Sequence, residues 1–213
     1  MTVKDIIKLV CDFVGERELL AKLESTEAVT YTSREQEKLD LMVRCFNLVN
    51  QEIASDYLPF LTKEEIDVNN SILNFSTLDK TLINVYEIKN KIGMNLKFKL
   101  FPNYVEVFGH ARSIVYSFLP SEKTLTDNVE IYNGLSKRVY AYGVASEFLL
   151  VDGVSDDAEI WEDRFKQSLF VLSRRRGEHI LPARSWIWFF IKILKNIKRR
   201  KRKILFSLSL EMG

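Results

Sequence analysis

The hydrophobic period of this chain changes twice, and those changes limit the fold more than any single residue does. From Val3 to about Ser55, apolar residues recur every three or four positions, the spacing of one helical face. Between about Ile66 and Leu119, short stretches alternate apolar with polar residues, the period of a strand with one buried side. From Ser136 to Arg176 the helical spacing returns. Helices, strands and helices again within 213 residues predict an α+β protein. The expected layout is a helical bundle of residues 1–60 and 130–182, with a small antiparallel β domain of residues 61–129 inserted in it. A chain of this length buries enough surface to fold without metal or disulfide.

Local signals place the elements. Thr2 with Asp5 forms a capping-box pattern ahead of Val3, Ile6, Ile7, Val10 and Val14, and Gly15 is a stop. A short second helix carries Leu19, Leu20 and Leu23. Residues 25–33 are rich in Thr and Ser and read as a loop. Ser33 with Gln36 predicts a second capping box, opening a helix to about Ser55 with the stripe Leu39, Met42, Cys45, Phe46, Val49 and Ile53. Pro59 closes this third of the chain.

In the middle, Met94, Leu96, Phe98 and Leu100 alternate with Asn95, Lys97 and Lys99. A turn at Asn90–Gly93 pairs this strand with one near Thr81–Lys89. Pro102-Asn103 turns into Tyr104–Phe108, and Gly109-His110 turns into Arg112–Leu119. Ser71–Phe75 is a further strand, paired with Ile66–Val68, so that four to six short strands make a small sheet or barrel. Ser136 then starts a helix carrying Val139, Tyr140, Gly143, Val144, Glu147, Phe148 and Val151, ended by Gly153. Ser155 or Asp156 caps the last helix, with Ile160, Trp161, Phe165, Leu169 and Leu172 on one face.

No reaction is spelled out in these residues, and the expectation is a non-enzyme with no cofactor and no metal. His110 and His179 stand apart from Cys or carboxylates at metal-site spacing. No glycine-rich phosphate loop occurs. Asp152, Asp156, Asp157 and Glu159 fail the calcium-loop pattern because Val154 takes an alternating position. They suit the start of a helix. Cys11 and Cys45 lie among apolar residues and read as buried free thiols, which fits a reducing compartment. The opening Met-Thr-Val-Lys-Asp lacks the apolar core of a signal peptide. Tyr104, Phe108, Tyr116 and Phe118, near Lys97, Lys99 and Arg112, could stack single-stranded nucleic acid. Core packing is the plainer reading.

The end of the chain has a different character. Residues 186–213 hold eight Lys or Arg and one acid, a net +7, whereas the whole chain is +2, leaving −5 for residues 1–185. Trp186, Trp188, Phe189 and Phe190 form the most apolar run, and Lys198, Arg199, Arg200, Lys201, Arg202 and Lys203 an unbroken basic block. The run is too short to span a membrane. An aromatic and basic arm of residues 183–213 is therefore expected to bind something. An anionic membrane surface, nucleic acid and a groove on a protein partner all fit the residues.

Five segments carry a resemblance: VKDIIKLVCDFVGE (3–16), RCFNLVNQEIASDYLPF (44–60), FKLFPNYVEV (98–107), YSFLPSEKTLTDNVE (116–130) and RVYAYGVASEFLLVDGVSDDAEIWEDRFKQSL (138–169). In this order they resemble head-to-tail adaptors of tailed bacteriophages, the group of tail tubular protein A and related head-completion proteins. The likeness runs to about residue 187 and leaves residues 188–213 outside it. It implies a homo-oligomeric ring, commonly of twelve subunits, in the virion neck. The implied partners are the portal protein, the tail or nozzle protein, and double-stranded DNA passing through the lumen without sequence-specific binding. Beside that likeness, the arm is expected to dock on a neighbouring subunit, most simply the portal. A nucleic-acid-binding or regulatory module using the basic tail is the alternative, and a peripheral membrane protein a third reading.

Overall fold

A computed structural model describes residues 1–25, 29–69, 71–129 and 134–175. The arm at 183–213, its ten candidate partner-binding residues and His179 lie outside the described residues. Within them the protein is α+β, with five α-helices and two small antiparallel sheets. Helices α1 (Val3–Val14), α2 (Arg17–Glu24) and α3 (Ser33–Glu52) come first, and a π-helical turn, Ile53–Tyr57, extends α3. Strands β1 (Leu61–Asn69), β2 (Ile72–Asn74), β3 (Leu82–Lys89), β4 (Lys97–Leu100), β5 (Tyr104–Phe108) and β6 (His110–Phe118) follow. Helices α4 (Lys137–Val151) and α5 (Ser155–Arg175) come last.

Thr2 caps α1 as its sequence predicts: its backbone N–H donates to Asp5 Oδ2 at 2.9 Å, and its hydroxyl accepts from the Asp5 N–H. The second box is displaced by one residue. Thr32 and Glu35 form it, not Ser33 and Gln36. Glu35 is the better return partner because its carboxylate also takes Lys22 Nζ at 2.6 Å, while the Gln36 amide donates to Asp40 instead. Gly15 ends α1 at φ +79°, where a side chain would be strained.

Helix α4 is the centre of the helical layer. It packs against α1, α3 and α5 and buries residues on every side, from Val139 and Tyr140 to Phe148 and Leu149, as a helix enclosed by others must. Gly143 is where α3 and α5 close on it: a Cβ there would stand 2.8 Å from Val49 Cγ1 and 3.0 Å from Phe165 Cε2. The buried Tyr140 hydroxyl donates to Asn50 Oδ1 at 3.2 Å, so the buried amide of α3 is satisfied. On α5, Ala158, Phe165 and Leu169 turn inward, whereas Ile160 is 53% exposed and leaves the face expected for it.

The sheets run β1-β6-β3 and β2-β5-β4, and this corrects the strand pairing expected from the sequence. Strand β2 pairs with β5, through Leu73 and Val105, not with β1. The turn at Asn90–Gly93 forms, with the Asn90 N–H donating to the Met94 carbonyl at 3.0 Å. Beyond it β4 leaves β3 and pairs with β5. Gly109, at φ +122°, is a bend that passes the chain from one sheet to the other rather than a hairpin turn. A Cβ there would meet Leu96 Cδ2 at 3.0 Å. The inner faces join the core of the helices through Leu73, Val105, Val107, Ile88, Ala111, Ile114 and Tyr116.

Candidate functional site

The chemistry-bearing side chains of the described residues are engaged in local structure. Cys11 and Cys45 are free and buried, as expected. Burial pushes the Cys11 thiol up to about 12 and the Cys45 thiol to about 11, so neither is a nucleophile at neutral pH. His110 Nε2 lies 2.6 Å from Asp67 Oδ1, and Arg112 donates to Asp67 Oδ2 at 2.8 Å. His110 and then Arg112 hold the Asp67 carboxyl below its ordinary range. All three are exposed on the β1–β6 edge. Glu52 is held above the usual carboxylate range, first by burial and then by Glu147 and Asp56. Among the described residues no group of three His, Cys, Asp or Glu side chains is placed to hold a metal. No described helix is long and apolar enough to cross a membrane.

The four sheet aromatics separate by face. Tyr116 and Phe118 are core: Tyr116 is fully buried, and its hydroxyl donates to Glu64 Oε2 at 2.7 Å. Burial and Glu64 push that phenol up to about 12. Phe118 carries Lys80 Nζ 3.7 Å above its ring. Tyr104 and Phe108 instead share the outer face of β5 with Glu106, and the register sets Lys97 beside Phe108 and Lys99 beside Glu106. Lys99 Nζ lies 5.6 Å from the Phe108 ring centre. Phe101 stacks on Tyr104 at 4.6 Å.

Two surfaces therefore stand out. The first is the β3–β4 hairpin and the turn beyond it, residues 89–101. It holds Lys89, Lys91, Lys97 and Lys99 and no acid, and it exposes Ile92, Met94, Leu100 and Phe101, with Phe108 alongside. The sequence carries a signal here, because Ile92 and Met94 sit at a turn where polar residues are the rule. The second is the α4–α5 corner, residues 150–163. It carries Asp152, Asp156, Asp157, Glu159, Glu162 and Asp163 and no base, and it exposes Leu150, Val151, Val154 and Ile160. Near the start of α4, an open groove of about 550 Å³ is lined by Ser136, Tyr142, Arg164 and Leu172. Phe13, Tyr142 and Trp161 stack between α1, α4 and α5, and the Arg164 guanidinium lies 4.8 Å from the Trp161 ring centre.

No protein-family model matches the chain, and no curated protein matches it.

Proposed function

We propose that this protein is a head-to-tail adaptor of a tailed bacteriophage, a structural subunit of a ring between portal and tail around the DNA channel. The reading starts from the five resembling segments. What carries it is where they fall in the fold. Residues 3–16 span α1, 44–60 the end of α3 and the π-helical turn, 98–107 most of the β4–β5 hairpin, and 138–169 nearly all of α4 and the first two thirds of α5. Four of the five segments thus lie mainly on helices and strands, while residues 116–130 end β6 and continue as irregular chain to residue 129. In the finer reading, residues 1–60 and 130–182 form a helical bundle bearing the β domain of 61–129, and residues 183–213 are an arm that docks on the portal through Trp186, Trp188, Phe189 and Phe190. The acidic balance of residues 1–185 suits a channel that must not grip moving DNA.

The test is truncation after Ala183, followed by circular dichroism and a pull-down with the portal protein. The truncated chain is expected to keep its helical signal and lose the portal. A truncated chain that still joins the portal normally overturns the arm. The second reading, a nucleic-acid-binding module, is favoured by the +7 of residues 186–213. It requires duplex binding with a steep salt dependence that the truncation abolishes.

A further inference from the structure

We infer that the basic β3–β4 hairpin, residues 89–101, docks on the acidic α4–α5 corner, residues 150–163, of a second copy of this chain. The two surfaces are complementary in two independent respects. Lys89 pairs with Glu87, Lys99 stands beside Glu106 and Glu162 pairs with Lys166, which leaves Lys91 and Lys97 on one surface and Asp152, Asp156, Asp157, Glu159 and Asp163 on the other as their excess charge. Each charged surface also exposes apolar side chains, Ile92, Met94, Leu100, Phe101 and Phe108 on one, Leu150, Val151, Val154 and Ile160 on the other. Local roles do not account for both features. The helix dipole explains Asp156 and Asp157 in the first turn of α5, but not Glu159 and Asp163 beyond it. Lysines guard an exposed strand edge, yet an edge guarded against association has no need of Ile92 at 77% exposure.

The two surfaces belong to elements that do not pack on one another: α5 rests on α4 and the π-helical turn, and β4 on β5 and β3. One copy therefore presents both halves of the contact outward. Different halves on one subunit make a contact that repeats from copy to copy. Apolar groups supply contact area that water otherwise covers, and the opposed charges fix register and speed encounter. That the repeat closes as a ring rests on the adaptor reading. The contact itself does not.

Crossed charge reversal on the full-length chain tests it. One variant carries Lys91→Glu, Lys97→Glu and Lys99→Glu. The other carries Asp152→Lys, Glu159→Lys and Asp163→Lys, which spares the first turn of α5. Circular dichroism checks that each folds, and sedimentation velocity over a concentration series reads association. The wild type is expected to associate, less so as salt rises. Each variant alone is expected to associate at least about tenfold more weakly. An equimolar mixture is expected to recover, because the reversed hairpin of one variant then meets the reversed corner of the other, and the intact hairpin meets the intact corner, each pair opposite in sign. A wild type that stays monomeric, variants that associate like the wild type, or a mixture that fails to recover overturns the contact. So does a hairpin variant that loses binding to a single-stranded oligonucleotide while associating normally. Portal pull-down with the wild-type chain is scored separately: its failure overturns the adaptor reading and leaves the contact between copies standing.

Discussion

Gly143 shows how little room the helical layer leaves. On an isolated helix, Gly→Ala is a gain of about 1 kcal/mol. Here the added methyl would press on Val49 and Phe165, and overpacking of that kind costs about 1–3 kcal/mol. Gly143→Ala is therefore expected to lower the urea midpoint, and an unchanged or raised midpoint contradicts the close approach of α3, α4 and α5. Cys11 and Cys45 make a second residue-scale case. Both thiols have folded values raised above the ordinary 9.0, to about 12 and about 11. A raised folded value means that their contribution is complete below pH 9 and is lost as pH climbs toward 11–12, because the unfolded chain releases the protons first. Cys11→Ala is expected to flatten that alkaline decline, read by thermal melts between pH 8 and 11. It should also cost more at neutral pH than His110→Ala, since a buried side chain leaves a cavity and the exposed imidazole does not.

At the scale of elements, helices were legible in the sequence to within a residue or two, whereas sheet pairing was not. Helical spacing is a local property, so Val3 to Val14 announced α1 together with its cap. Strand partners are chosen by tertiary contact, and nothing near Ser71 says that β2 joins β5 rather than β1. The alternation at Met94–Leu100 was real, but only Lys97–Leu100 forms a strand, at the edge of its sheet, and Met94 before it and Leu100 at its end stay exposed. The displaced second cap has a similar cause, because Lys22, thirteen residues upstream of Glu35, decides it. That cap has a pH signature. Lys22 and the Thr32 donors lower the Glu35 carboxyl to about 2, below its ordinary 4.5. Its contribution is present above pH 4.5 and lost as pH falls toward 2. Glu35→Gln is expected to remove that part of the acid dependence, seen as a shallower fall in melting temperature between pH 5 and 2.5. An unchanged acid limb contradicts the ion pair. Thr2→Ala, which removes the cap of α1, is expected to cost about 1 kcal/mol in chemical unfolding.

At the scale of the whole molecule, the candidate partner-binding residues at 186–203 came from composition, and the two complementary surfaces came from the fold. Charge segregation along a chain can be counted, but the exposure of Ile92 and Ile160 cannot. One reads as an ordinary turn neighbour and the other as a core position until the sheet and helix are placed. Under the adaptor proposal, both sets of residues serve contacts with other subunits. The most direct measurement is native mass spectrometry of the full-length chain mixed with a candidate portal protein from the same genome. The expected result is a complex holding one portal ring and a closed ring of this chain, with no free intermediate stoichiometry dominating. A chain that remains apart from the portal at every ratio, while binding duplex DNA through its basic end, would contradict the adaptor reading.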